Sequence, residues 1–141
     1  GFIEDLNIDE AYAKDDDSSG VMDEPGLKMF ICNYIAEDEN KKKNLDDIIG
    51  KGRTKFTGKD RITLVMISSL VYKKRGYIEI LDPQGNKIKS HGYDFKSSTK
   101  TEWLSLNTSA QELNEKYGRG NYAGRFYFNK KRKKTINFQV L

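Results

Sequence analysis

The clearest pattern of hydrophobic and polar positions lies in the segment Gly120–Leu141, where apolar and polar residues alternate along two arms. One face of each arm is apolar: Tyr122, Phe126 and Phe128 in the first arm, with Gly124 between them, and Ile136, Phe138 and Val140 in the second. A period of two predicts two half-buried strands that form a hairpin. Five consecutive cations join the arms and are called the cationic run here: Lys130, Lys131, Arg132, Lys133 and Lys134. Their polarity and mutual repulsion predict that they form the hairpin tip and its flanks.

Two earlier segments, Leu27–Ile35 and Arg61–Ser69, are apolar on both faces of an extended chain, which predicts strands in the interior of the fold. A second hairpin is predicted from Tyr77–Leu81 and Asn86–Tyr93. The intervening Asp82-Pro83-Gln84-Gly85 is typical of a tight turn, because proline presets φ and glycine supplies a positive φ.

A further strand is predicted at Thr101–Leu106. The capping-box spacing of Thr108 and Gln111 then predicts the start of a short helix that ends at Gly118 or Gly120. The total is seven or eight short strands with one short helix in a loop and no repeated βα alternation. That count predicts an all-β, antiparallel sandwich or barrel, and long connections on one side favour a Greek-key sandwich.

The chain of 141 residues has room for one compact core, and its charge is divided unevenly. Residues 1–26 hold nine acidic residues against Lys14, a net charge of −8, so the rest of the chain carries +12 and the whole chain +4. We therefore expect an acidic arm or linker over residues 1–26 and a basic β domain over residues 27–141. The arm is expected to contact the basic surface loosely and in a salt-sensitive way.

A basic domain attracts acidic partners, of which a polysaccharide, an anionic lipid surface and nucleic acid are the main classes. The cationic run is the candidate anion-binding site. The competing and favoured explanation is a solvated hairpin end that prevents edge-to-edge pairing of sheets. No aromatic residue alternates with these five cations, which disfavours binding of single-stranded nucleic acid.

The acidic arm contains one pattern typical of metal binding. Positions one, three, five and nine of a calcium loop fall on Asp15, Asp17, Ser19 and Asp23, with glycine at position six. Position twelve is Gly26, where such a loop has a bidentate glutamate. Calcium binding is therefore one hypothesis, and a cluster of acidic residues in a polar arm is the other.

The residue inventory offers little for catalysis. His91 is the single histidine and Cys32 the single cysteine, so neither a zinc set nor a nucleophile–histidine pair is supported. Carboxylates at Glu79, Asp82, Asp94 and Glu102 are candidates for glycoside hydrolysis, but the sequence does not fix their separation. We therefore expect a protein that is not an enzyme and has no cofactor. Its lone thiol lies in an apolar run and is expected to be buried.

No apolar run approaches the ~20 residues that a transmembrane helix needs, so no transmembrane segment is predicted.

Several stretches resemble, in order, one known family. They are RITLVMI after a charged turn, YIEILDPQGNKI, a strand that carries Trp103, GNYAGRFYF from Gly120, and the closing INFQV. Together they resemble the immunoglobulin-like β-sandwich modules of bacterial cell-envelope proteins, including lipoproteins. The resemblance covers residues 27–141. It implies an extracytoplasmic setting at the periplasm or cell surface, and an interaction or scaffolding role with a protein or envelope polysaccharide as partner.

Tyr122 lies near the start of the penultimate strand, where a tyrosine can bury its ring and bond its hydroxyl to upstream backbone, as in a tyrosine corner. An ordinary half-buried tyrosine is the alternative.

A different functional hypothesis is a basic β-barrel of the oligonucleotide-binding type, motivated by the net positive charge and by 8 Tyr and 7 Phe. Such a barrel needs five strands, fewer than the pattern predicts.

Overall fold

The computed structural model describes residues 25–37, 43–70, 73–96 and 101–141, and these form ten strands, one α-helix and one 3₁₀ turn. The strands are β1 (Leu27–Cys32), β2 (Tyr34–Ile35), β3 (Ile48–Ile49), β4 (Lys55–Phe56), β5 (Arg61–Ser68), β6 (Lys74–Leu81), β7 (Lys87–Phe95), β8 (Glu102–Ser109), β9 (Gly120–Phe128) and β10 (Lys131–Val140). The helix α1 is Ala110–Tyr117, and the 3₁₀ turn is Leu45–Asp47.

The strands form one sheet of three, one of five and a pair. The three-stranded sheet has the order β1-β5-β8, the five-stranded sheet β4-β10-β9-β6-β7, and β2 pairs with β3. The all-β prediction is confirmed. The prediction of a purely antiparallel arrangement is wrong, because β4 runs parallel to β10, with Lys55 opposite Gln139. Hairpin geometry fixes direction only for strands joined by a tight turn, and no such turn joins β4 to β10.

A single buried cluster takes side chains from both larger sheets. It includes Leu64 and Met66 of β5, Ile78 and Ile80 of β6, and the apolar face of the C-terminal hairpin. The predicted apolar face of that hairpin is confirmed, since all six of its residues are buried: Tyr122, Phe126, Phe128, Ile136, Phe138 and Val140. Burying side chains of this size stabilises the fold by about 1.5–3 kcal/mol each.

The three-stranded sheet is apolar on its other face as well. There Phe30, Cys32, Val65 and Ile67 form a second buried cluster. Ile35 of β2, Ile48 of β3 and Trp103 of β8 pack against it. The prediction that the segments at Leu27 and Arg61 are buried on both faces is therefore confirmed.

The second predicted turn is confirmed. The Asp82 carboxylate accepts hydrogen bonds from the amides of Gln84 and Asn86, both at 2.9 Å, and Gly85 has φ of 85°. The helix begins one residue later than predicted, since Ser109 is the N-cap and its hydroxyl accepts from the amide of Glu112. A helix end at Gly118 is confirmed.

Of the two alternatives for Tyr122, the structure has the corner geometry. Its ring is buried, and its hydroxyl donates to the carbonyls of Gly118 at 2.5 Å and Leu113 at 3.1 Å. Burial raises the pKa of the Tyr122 hydroxyl, with the carboxylate of Asp82 adding to the effect. The hydroxyl therefore joins β9 to the C-terminal end of α1.

Polar contacts join the two large sheets at both sides. On one side the Lys134 ammonium of β10 donates to the Met29 carbonyl of β1 at 2.7 Å. On the other, the Tyr93 hydroxyl of β7 donates to Glu102 of β8, and His91 Nδ1 lies 2.9 Å from the Ser105 carbonyl. The bond to Glu102 raises the pKa of Tyr93.

The Cys32 thiol is predicted to be unreactive in the folded protein. It is fully buried, and burial raises its pKa to about 11. Between the unfolded pKa of about 8.5 and this value, only the unfolded chain loses the thiol proton. The stability that the protonated thiol contributes is thus complete below about pH 8.5 and is lost as the pH rises toward 11.

A thiol reagent at pH 8 should therefore label the native protein far more slowly than the urea-unfolded chain. The stability difference between the wild type and Cys32→Ala should shrink as the pH rises from 8.5 to 11. Equal labelling rates for native and unfolded protein would contradict the burial.

Candidate functional site

The cationic run forms the hairpin tip and one flank, as predicted, but only part of it is solvated. The turn consists of Asn129 and Lys130, and the other four cations belong to β10. Arg132 and Lys134 are only 4% and 8% exposed, so the interpretation of the run as a solvated hairpin end is wrong for both. A hydrogen bond compensates a buried cation, as the bond from Lys134 to the Met29 carbonyl does, and the charge pattern gives no sign of such a partner.

A β-bulge in β10 places cations of the run on both faces of the sheet. The register of β10 shifts between Arg132 and Lys134, so that Arg132 lies opposite Tyr127 while Lys134 lies opposite Phe126. Successive residues of β9 point to opposite faces of the sheet. Arg132 therefore lies on the outer face, and Lys134 on the core side. In a regular strand these two cations, which are two positions apart, would share a face, and the bulge separates them.

The outer face of β10, β9 and β6 is called the polar face here. Strand register places Arg132, Tyr127 and Tyr77 side by side in one row across it. The next row consists of Thr135, Arg125 and Glu79. Neighbouring strands lie about 4.8 Å apart, so residues within a row are direct neighbours.

Glu79 is the centre of a charged network on this face and is 7% exposed. The Tyr127 hydroxyl donates to its carboxylate at 2.8 Å. The guanidinium of Arg125 and the ammonium of Lys87 each lie 4.0 Å from its oxygens. Lys87 also donates to the Tyr77 hydroxyl at 3.1 Å. The network fixes both tyrosine hydroxyls.

A small pocket opens at the turn end of the polar face. Its volume is about 160 Å³, and it is lined by Arg75, Tyr77, Tyr127 and Lys130. The two tyrosine rings meet edge to face with their centroids 5.8 Å apart. Both Arg75 and Lys130 are exposed, and the Arg75 guanidinium lies 2.9 Å from the exposed carboxylate of Asp94. A pocket with two cations and two phenols is suited to an anionic group.

The backbone holds the two cations of this pocket together. The amide of Asn129 donates to the Arg75 carbonyl at 2.9 Å, which ties the turn to β6. Asn129 and Lys130 have φ of 55° and 67°, as a two-residue hairpin turn with positive φ at both positions requires. Glycine is the usual residue at the second of these positions, so Lys130 occupies a site that costs it backbone energy.

A second, polar groove lies at the other end of the same face. It has a volume of about 500 Å³ and is lined by Thr54, Asn121, Asn137, Phe138 and Gln139. Gln139 donates to the Asn121 side-chain oxygen at 3.0 Å, which orients both amides. Asn121 and Tyr127 are six residues apart on β9, or about 20 Å along the strand.

The remaining sequence-based candidates lie elsewhere. The calcium-loop residues Asp15, Asp17, Ser19 and Asp23 fall outside the described residues, as does most of the acidic arm. Within the described ranges, no group of three or more His, Cys, Asp or Glu side chains is placed to hold a metal ion. The same part of the chain has no helix long and apolar enough to cross a membrane.

The four candidate carboxylates have separate contacts. Glu79 bonds to Tyr127, Asp82 caps a turn, Asp94 pairs with Arg75, and Glu102 accepts from Tyr93 and from the Lys96 amide. The Glu112 carboxylate accepts a hydrogen bond from the Thr108 hydroxyl at 2.7 Å, and this bond lowers the pKa of Glu112.

Neither a scan against protein-family models nor a search of curated proteins finds a match for this chain. The candidate site therefore has to be argued from its own geometry.

Sequence reasoning missed Tyr77, Glu79, Arg125 and Tyr127 as members of one site. Apolar residues alternate with charged and aromatic ones along β6 and β9, and this pattern indicates that the charged and aromatic side chains share the outer face of each strand. The missing information was the pairing of β6 with β9, because these strands are separated by two other strands and a helix.

Replacing Lys130 with glycine should stabilise the protein while removing one cation from the pocket. Asn-Gly is the favoured pair for this turn, and the left-handed conformation costs a non-glycine residue roughly 1 kcal/mol. We expect Lys130→Gly to raise the free energy of unfolding by up to about 1 kcal/mol, as measured by urea denaturation. Lys130→Gln, which keeps the strain, should leave stability nearly unchanged. A loss of stability in Lys130→Gly would show that the lysine side chain stabilises the turn.

Proposed function

We propose that this protein is a non-enzymatic binding module of a bacterial envelope or surface protein, and that its polar face binds an acidic partner. The observation that carries the proposal is the clustering of Arg75, Lys130, Tyr77 and Tyr127 around one pocket. Residues from β6, β9 and the connecting turn of the C-terminal hairpin converge there, as expected of a site on rigid elements.

Electrostatics supports an anionic ligand. Five cations lie on the polar face or beside its pocket: Arg75, Lys87, Arg125, Lys130 and Arg132. Of these, Arg75 pairs with Asp94, and Lys87 and Arg125 lie 4.0 Å from Glu79. Exposed cations such as Lys130 attract anions over a distance of about 8–10 Å at physiological salt, the Debye length.

The finer fold and the setting are part of the same proposal. An immunoglobulin-like Greek-key sandwich is supported by the core shared between two sheets and by the Tyr122 hydroxyl bonds. An extracytoplasmic location rests on the family resemblance of residues 27–141. The fold alone does not identify the ligand, which is why the proposal rests on the polar face.

Nucleic acid is the second candidate, because one observation favours it. Tyr77 and Tyr127 lie side by side among cations, and proteins that bind single strands combine basic grooves with aromatic side chains. Against this, Tyr127 is only 5% exposed and contacts Tyr77 through its edge, so the two rings do not offer a pair of open stacking faces.

Removing the two positive charges of the pocket should weaken binding of anionic polymers. We expect Arg75→Gln/Lys130→Gln to bind polygalacturonate at least about 10-fold more weakly than the wild type, as measured by isothermal titration calorimetry at low salt. The loss of two charge-assisted hydrogen bonds accounts for an effect of this size.

The matched control is Lys28→Gln/Lys59→Gln, which removes two exposed cations from other parts of the molecule. It changes net charge equally and should retain most of the affinity. If the two double variants lose affinity equally, binding follows net charge alone and the polar face is not the site. Tighter binding of labelled single-stranded oligonucleotide than of the uronate polymer would favour the second candidate.

A further inference from the structure

The polar face offers two recognition sites of different chemistry on one surface. The pocket of Arg75, Tyr77, Tyr127 and Lys130 has cations and phenols, whereas the groove of Asn121, Asn137, Gln139 and Thr54 has amides and a hydroxyl. β9 contributes to both, and β10 borders both. A ligand that satisfies both sites must therefore be extended and must carry anionic and neutral polar groups.

We propose that the polar face is an extended subsite array for an acidic polysaccharide, with a sugar carboxylate in the pocket and uncharged hydroxyls in the groove. The inference deepens the proposed function and rests on it. Cations lie at one end of the polar face, side-chain amides lie at the other, and Ala123 and Arg125 of β9 lie between them.

The pocket end matches a carboxylate. Guanidinium and ammonium groups are the strong donors to carboxylate oxygens, and the Arg75 guanidinium is planar, which permits bidentate contact. The pocket has a volume of about 160 Å³ and admits a carboxylate group. The tyrosine rings supply apolar walls, and their hydroxyls are held by Lys87 and Glu79.

The groove end matches sugar hydroxyls. A hydroxyl group both donates and accepts, and a side-chain amide offers an oxygen acceptor beside two N–H donors. Asn121 and Asn137 are exposed, and the bond from Gln139 to Asn121 presets the direction of both amides. No charged side chain lines this groove within the described residues, so the groove gives phosphate-rich polymers no charge-assisted contact.

The surface between the two sites permits an extended chain. Along β9, Ala123 and Arg125 separate Asn121 from Tyr127 on the same face, and Thr135 of β10 lies opposite Arg125. Ala123 has a small side chain, and Arg125 and Thr135 are partly exposed. The path of about 20 Å from the groove to the pocket therefore runs over small or polar side chains of a rigid strand.

The test compares Asn121→Ala/Asn137→Ala with Arg75→Gln/Lys130→Gln in the full chain, using polygalacturonate, sodium polyphosphate and uncharged dextran as probes. Thermal unfolding of each variant should first match that of the wild type, since all four side chains are exposed. We expect wild-type protein to prefer polygalacturonate to polyphosphate at equal charge concentration. The amide double variant should weaken uronate binding about 10-fold, the equivalent of losing one or two hydrogen bonds, and leave polyphosphate binding unchanged.

The outcomes separate the inference from the function on which it rests. If neither anionic polymer binds, or if Arg75→Gln/Lys130→Gln binds like the wild type, the proposed function fails together with the inference. If both polymers bind through the pocket but the amide variant retains full uronate affinity, the anion site stands and the polysaccharide array is wrong. Equal or tighter binding of polyphosphate than of polygalacturonate also overturns the array.

Discussion

Burial of apolar side chains between the two large sheets determines which side chains the protein can present to a partner. Ile78, Phe126 and Ile136 point into the shared core, so their neighbours along β6, β9 and β10 must face outward. The three-stranded sheet is apolar on its second face too, but the five-stranded sheet is not. The polar face is therefore a consequence of core packing, and its residues are held in position by strands that the core fixes.

Two local irregularities interrupt this regular framework. The bulge at Lys133 directs Arg132 to the polar face and Lys134 to the side where it bonds with Met29. The turn at Lys130 has a left-handed backbone that glycine would adopt at lower cost. Bulges and unfavourable backbone conformations are concentrated at functional sites, and both irregularities here place a cation.

Sequence periodicity predicted the features that depend on neighbouring residues. The C-terminal hairpin, the Asp82 turn and the burial of Cys32 are confirmed, and for Tyr122 the structure has one of the two alternatives, the hydroxyl bond to backbone. The features that depend on distant residues could not be predicted in this way. The parallel pairing of β4 with β10, the bulge and the Glu79 network each join segments that lie far apart or in shifted register. The cationic run is an example. Lys130 lies in the turn, Arg132 on the polar face and Lys134 beside the Met29 carbonyl, and composition alone does not distinguish these positions.

The central claim is that an acidic polysaccharide contacts the polar face along β9. The most direct test is a titration of isotopically labelled protein with short polygalacturonate oligomers, followed by amide chemical-shift changes in NMR spectra. The account predicts changes concentrated at Arg75, Tyr77, Tyr127 and Lys130, together with the side-chain amides of Asn121 and Asn137. Changes centred on Phe30 and Trp103 on the other large sheet, or no changes at low salt, would contradict it.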